Sequence, residues 1–219
     1  AEGLTDCTFE AYPIPSITDF PDLISANPNL KGLGVTIPYK EMVLPYVHKQ
    51  SVEVQEIGAT NSIKIEDGLL TAYNTDIIGF EVSFREQLKH YHTKALVLGT
   101  GGASKAVQYV LRKLGIEYMV VTRNSAPGLI TYDVIDGSLI SEYRVIINCT
   151  PLGMYPNIDA FPAIPYSFLT TEHYLYDLVY KPGTTQFLMK GEAAGASVKN
   201  GYDMLLIQAE ASWKIWNGL

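Results

Sequence analysis

The sequence predicts an α/β protein of two domains, one of them built on a parallel sheet. From Lys94 onward, short apolar runs alternate regularly with helical segments, the pattern of consecutive β-α-β units. Within that half, Ala95-Leu96-Val97-Leu98 is apolar without alternation, as a strand covered on both faces requires. The earlier residues follow another pattern, with short strands and a hairpin, and the change falls in a predicted helix near residues 75–94.

The opening residues Ala1-Glu2-Gly3-Leu4 read as the end of a helix running into a strand, and Thr8 to Tyr12 alternates like a strand. Ser16 to Asp19 supplies capping residues for a short helix reaching about Ala26. Lys31 to Ile37 reads as a strand closed by Pro38, and Gln50 to Ile57 as a helix stopped by Gly58. Ser62 to Glu66 and Leu69 to Tyr73 are strands joined by Asp67-Gly68, a turn whose two central residues must tolerate positive φ. A helix follows from Thr75 to about Tyr91. In the second half, a helix from about Ala103 to Leu114 stops at Gly115. Strands are expected at Glu117 to Thr122, Arg144 to Asn148, Tyr174 to Leu178 and Ala196 to Lys199, with a helix near Thr185 to Ala194. An amphipathic helix from about Tyr202 to Trp216 closes the chain, and its Trp213 and Trp216 read as packing residues.

Of 219 residues, 47% are hydrophobic and 18% charged, which excludes a disordered or fibrous chain. The net charge of −7 has no run of like charges, so neither nucleic acid nor an anionic membrane is an expected partner. Any anionic ligand then needs a local site. Cys7 and Cys149 are far apart and make no metal or redox spacing, so both read as reduced, buried thiols of a cytoplasmic protein. No apolar stretch approaches the roughly 20 residues that span a bilayer. His48, His90, His92 and His173 read as surface or packing residues, no acidic cluster joins them, and no metal is expected.

Gly99-Thr100-Gly101-Gly102-Ala103-Ser104 follows an apolar strand and opens a helix. Gly99 allows the tight turn, Gly101 lets a pyrophosphate approach the backbone, and Ser104 is small enough for close helix–strand packing. The helix N-terminus adds free N–H groups and partial positive charge, so this turn predicts a dinucleotide site. Cofactor choice depends on the end of the next strand, roughly 20 residues on. An NAD site would carry a carboxylate there, but this chain has Thr122-Arg123-Asn124-Ser125. A guanidinium can clamp a 2′-phosphate that a carboxylate would repel, so NADP(H) is predicted with Arg123 as the main determinant.

Gly34-Val35-Thr36-Ile37-Pro38-Tyr39-Lys40 places a lysine just beyond a strand end. Gly58-Ala59-Thr60-Asn61-Ser62 and Tyr73-Asn74-Thr75-Asp76-Ile77-Ile78-Gly79 put short polar side chains, suited to sugar-like hydroxyls, beside small residues. Alone, Lys40 reads as a surface lysine and Asp76 as a helix cap. Together, these segments resemble the shikimate dehydrogenase family. The resemblance continues through Ile147-Asn148-Cys149-Thr150-Pro151-Leu152-Gly153-Met154, Asp177-Leu178-Val179-Tyr180-Lys181-Pro182 and Asn200-Gly201-Tyr202-Asp203-Met204-Leu205-Leu206-Ile207-Gln208, in matching order.

That resemblance implies a substrate-binding α/β domain, residues 1–76 plus 202–219, and a Rossmann-like NADP-binding domain, residues 77–201, with a cleft between them. It implies NADPH-dependent reduction of 3-dehydroshikimate to shikimate, within chorismate and aromatic amino acid biosynthesis, by a monomer or homodimer. Lys40 and Asp76 fall at the family's catalytic pair, and Thr36, Asn61, Tyr180 and Gln208 where it contacts substrate. Thr150, Gly201 and Met204 fall at the nicotinamide pocket, and Gly99, Gly101, Gly102, Ala103, Arg123 and Asn124 at the remaining cofactor segments. The chemistry suits these groups: a lysine ammonium beside the substrate oxygen can stabilise a developing alkoxide and supply its proton.

Gly34 departs from the resemblance, standing where the family has Asn, and Ser62 for Thr and Thr100 for Ala are milder departures. The family also begins with a strand and a Ser-x-Ser loop that holds the substrate carboxylate, which this sequence does not contain. About 30 residues, one strand and one helix, are therefore expected before Ala1 in the natural protein. Two alternatives remain open: a quinate/shikimate dehydrogenase using NAD, and a non-catalytic NADP(H) sensor of the same fold.

Overall fold

The computed structural model describes residues 7–219, so the expectation for Ala1 to Leu4 lies outside the described residues. Its first layer is a four-stranded sheet formed by β1 (Gly32–Gly34), β2 (Lys49–Gln50), β3 (Ser62–Glu66) and β4 (Leu69–Tyr73) in the order β1-β3-β4-β2. The β3–β4 hairpin turns through Asp67 at φ 50° and Gly68 at φ 76°, as the Asp-Gly pair requires. Short helices α1 (Phe20–Ala26) and α2 (Val52–Ile57) belong to this half, and Phe20, Val43, Ile63 and Leu70 form its small core.

The second layer is a six-stranded sheet in the order β10-β9-β8-β5-β6-β7, with every neighbouring pair parallel. Its strands are β5 (Lys94–Leu98), β6 (Glu117–Thr122), β7 (Ile130–Thr131), β8 (Val145–Asn148), β9 (Tyr174–Asp177) and β10 (Ser197–Lys199). Helices α4 (Gly102–Lys113), α5 (Gly137–Glu142) and α6 (Gln186–Ala193) connect them. The unbroken apolar run of β5 is explained by two cores: Ala95 and Val97 enter one, Leu96 and Leu98 the other. The chain leaves β5 toward β6 and returns to β8 on its other side, so the strand order reverses between β5 and β8. The carboxyl ends of those two strands are where such a sheet takes its ligands.

Helix α3 (Asp76–Arg85) joins the two layers. Its Phe80 and Phe84 stack at 4.8 Å and meet Tyr174 and Tyr176 of β9, while Ser83 Oγ lies 2.6 Å from the Tyr176 hydroxyl. The last helix, α7 (Tyr202–Asn217), packs along α3, and a Cβ at Gly79 would lie 2.5 Å from the Met204 carbonyl oxygen. The chain's end therefore returns to the first layer, and the Trp216 ring fills the space where a Gly32 side chain would stand.

Several expectations change. Thr8 to Tyr12 is irregular rather than a strand, because an alternating segment without a ladder partner has no place for its backbone groups. The strand from Lys31 is confined to β1, since the chain turns once Tyr39 N–H donates to the Thr36 carbonyl. Helix α3 stops at Arg85, and downstream Lys89 N–H donates instead to His92 Nδ1. The two-residue strands β2 and β7 and the six-residue α5 are too short for periodicity to show. Cys7 is exposed, not buried, and Cys149 is half-buried. Among the described residues no helix is long and apolar enough to cross a membrane.

Candidate active site

Lys40 sits at the end of the turn that follows β1. Val35 N–H continues the sheet pairing to the Asn61 carbonyl at 2.8 Å, and Thr60 N–H donates to the Lys40 carbonyl at 2.8 Å. The lysine backbone is thereby anchored on the segment before β3. Asp76 opens α3, whose N-terminus favours a carboxylate. The two side chains meet at 2.5 Å, Lys40 Nζ to Asp76 Oδ2, and are 15% and 8% exposed.

Asn61 organises the polar groups around this pair. Its side-chain NH2 reaches Asp76 Oδ1 and Thr75 Oγ1 at 2.9 Å each and Gln208 Oε1 at 3.1 Å. Its Oδ1 accepts from Thr75 N–H at 2.7 Å. Gln208 comes from α7, as does Ser212, whose Oγ lies 2.9 Å from Thr75 Oγ1. Asn61, itself held by Thr75 and by Gln208 of α7, thus fixes one oxygen of the Asp76 carboxylate while Lys40 holds the other.

A cavity of about 1170 Å³ opens beside the pair, lined from the first layer by Thr36, Lys40, Asn61, Asp76 and Gln208. Ala103, Thr150, Tyr180, Gly201 and Met204 line it from the parallel sheet and the start of α7. The cavity also runs along the irregular Thr8–Ile14 segment and the side of β1. Cys149 belongs to its wall; burial, and then the nearby Asp177 carboxylate, push that thiol above its ordinary pKa.

The glycine turn stands against Lys40. A Cβ at Gly102 would lie 3.2 Å from the Lys40 Cβ, so the first residue of α4 must be small for the two layers to meet here. Gly99 has φ +109°, a conformation that favours glycine, and Ser104 Oγ donates to its carbonyl at 2.7 Å. A Cβ at Gly101 would meet open space, and no side chain caps the N-terminus of α4. Open space over uncapped N–H groups fits a pyrophosphate. Lys105 in the first turns of α4 pairs with Glu41 at 2.7 Å, bridging the two layers beside the site.

Arg123 and Asn124 are exposed at the end of β6, outside the cavity lining around Lys40. Half-buried Tyr132, after β7, lies close enough to feel the Arg123 charge, which opposes the burial that raises its pKa. This end of the sheet suits the far end of an extended ligand whose other end enters the cavity. Among the described residues no group of three or more His, Cys, Asp or Glu side chains gathers to hold a metal.

The sequence pattern of the shikimate dehydrogenase substrate binding domain matches residues 2–63. Across both layers, the shikimate dehydrogenase (NADP(+)) of Carboxydothermus hydrogenoformans is 35% identical over 206 residues, spanning 87% of this chain and 74% of that protein. The chain belongs to the shikimate dehydrogenase family. A family structure from Thermus thermophilus, in complex with NADP(H) and shikimate, is similar with a TM-score of 0.80 at 31% identity, covering 91% of this chain and 77% of that one. A quinate dehydrogenase from Corynebacterium glutamicum, in complex with NAD, is similar with a TM-score of 0.77 at 27% identity, covering 92% and 78%.

Several residues around this candidate site are not picked out by the sequence. Ser212 is four residues beyond Gln208, so helical spacing alone places both on one face of α7. Thr75 reads in the sequence as one of the short polar side chains beside Asp76, with nothing to signal its bonds to Asn61 and Ser212. The Glu41–Lys105 bridge and the contact of Gly102 with Lys40 depend on how the two layers meet, and no local pattern announces them.

Proposed function

We propose that this chain interconverts 3-dehydroshikimate and shikimate with NADP(H), and that Lys40 and Asp76 are its catalytic pair. The supporting observation is a paired lysine and carboxylate, 2.5 Å apart, in a cavity also lined by Ala103 at the start of α4 and by Cys149 and Thr150 after β8. Bound NADPH supplies the hydride that reduces a carbonyl carbon. The Lys40 ammonium is the group suited to stabilise the oxygen's negative charge and to deliver a proton there. Asp76 holds that ammonium by a charge-assisted bond, and Asn61 fixes the other carboxylate oxygen.

Thr36, Asn61, Tyr180 and Gln208 supply hydroxyl and amide groups for the hydroxyls of a small cyclic acid. Thr150, Gly201 and Met204 are assigned to the nicotinamide end, Gly99, Gly101, Gly102 and Ala103 to the pyrophosphate, and Arg123 and Asn124 to the 2′-phosphate. The division into residues 1–76 plus 202–219 and residues 77–201 is proposed with the same reading; α7 packing on β3, with the Trp216 ring against Gly32 of β1, supports it. So are a cytoplasmic location and a monomeric or homodimeric state. The test is NADPH formation from shikimate and NADP+, run beside quinate and beside NAD+. Turnover with shikimate and NADP+ is expected; turnover confined to quinate or NAD+, or absent in all four combinations, would overturn the assignment.

A further inference from the structure

Asp177 is fully buried at the end of β9, opposite Asn148 at the end of β8. Its Oδ1 accepts from Asn148 Nδ2 and from Val179 N–H, both at 3.0 Å, and its Oδ2 from the Thr185 hydroxyl at 2.6 Å. Asn148 passes the constraint onward: its Oδ1 accepts from Thr150 N–H at 3.0 Å and from the Thr150 hydroxyl at 2.6 Å. Its Nδ2 also reaches the Leu152 carbonyl at 3.3 Å. The loop after β8 packs on the Thr185 side as well, where a Cβ at Gly153 would lie 3.1 Å from the Thr185 Cβ.

The loop after β9 is held in the same way. Val179, tied to Asp177 through its N–H, accepts from Gly201 N–H at 3.2 Å through its carbonyl. A Cβ at Gly201 would collide with the Leu178 carbonyl oxygen, so the start of α7 rests on this loop. One carboxylate therefore sits behind all three chain segments that bring Thr150, Tyr180 and Gly201 to the cavity.

We propose that Asp177 is a positioning residue for the nicotinamide half of the cofactor, acting through Asn148 on Thr150 and through Val179 on the Tyr180 and Gly201 segments. The proposal rests on the reading of the cavity as an NADP(H) site. It assigns the work to Oδ1, the oxygen that both loop contacts share, and gives Oδ2 the task of holding the N-cap Thr185 of α6. Loss of Oδ1 would leave the buried Val179 N–H without its acceptor and the Asn148 amide with only its 3.3 Å contact to the Leu152 carbonyl, and the loops would rearrange to satisfy them.

The experiment compares binding of NADPH with binding of adenosine 2′,5′-bisphosphate, which carries the adenosine end and lacks nicotinamide. Asp177→Ala is expected to weaken NADPH about tenfold or more, while the bisphosphate binds as to the unaltered chain within about twofold. Asp177→Asn keeps an acceptor at Oδ1 and should restore NADPH binding to within about threefold. Asn148→Ala gives a second route should Asp177→Ala fail to fold, and is expected to weaken NADPH selectively as well. Equal weakening of both ligands would show a general structural role and overturn the proposal, as would unchanged NADPH binding in Asp177→Ala. Unaltered protein that binds neither ligand would overturn the NADP(H) reading itself, and this proposal with it.

Discussion

Lys40 Nζ lies 2.5 Å from Asp76 Oδ2, although 36 residues separate the two in sequence. The lysine follows a strand of one layer, while the aspartate opens the helix whose aromatic residues enter the core of the other. Their contact thus depends on both layers being in place, and Gly102 of the glycine turn closes over the lysine from the nucleotide side. Replacing Lys40 by Ala removes the ammonium proposed above as the proton donor. Turnover is expected to fall about 100-fold or more, with NADPH affinity changed little. Steady-state rates and a cofactor titration check this, and near-normal turnover would remove Lys40 from the mechanism.

Asn61 serves Asp76 and Thr75 at once, so its loss should be felt in both stability and substrate handling. Asn61→Ala leaves the buried Thr75 N–H without its 2.7 Å acceptor, a cost of about 1–3 kcal/mol. Thermal melts should register that loss. Kinetics should show a higher KM for shikimate than for the unaltered chain, with the KM for NADP+ nearly constant. The reverse pattern would place Asn61 on the cofactor side.

Arg123 is exposed and outside the cavity lining that holds Lys40 and Asp76, which makes its contribution separable. Arg123→Ala is expected to lower kcat/KM for NADP+ by about 10-fold or more, the worth of a charge-assisted contact to phosphate, while NAD+ kinetics stay as they were. Equal losses with both cofactors would mean that Arg123 does not read the 2′-phosphate.

Burial raises the Asp177 carboxyl to about 6, with the hydrogen bonds from Thr185, Val179 and Asn148 acting in the opposite direction. Cys149 and Tyr166 are among the titratable side chains that feel its charge. In the unfolded chain such a carboxyl titrates near about 4, so between roughly pH 4 and 6 the native state binds more protons than the unfolded one. This contribution to stability is fully present below about pH 4 and is lost as pH rises through 6, by on the order of 3 kcal/mol. Relative to Asp177→Asn, the unaltered chain should therefore gain melting temperature between pH 8 and pH 5. A difference that stays flat, or moves the other way, would show that burial does not dominate this group.

The sequence by itself determined the parts whose physics is local. Asp67-Gly68 dictates a hairpin because both turn residues must accept positive φ, and Gly99 through Ser104 dictates a strand–turn–helix because few other residues allow that bend. The apolar run of β5 marks a strand covered on both faces, and the family could be read from motifs in matching order. Tertiary structure decided what those motifs amount to as a site. Lys40 acquires its carboxylate, Asn61 its contact with Gln208, and Asp177 its grip on two loops only when segments up to 147 residues apart are packed together. These contacts are set by how sheets and helices meet, and side-chain pairing across that distance leaves no trace in local spacing.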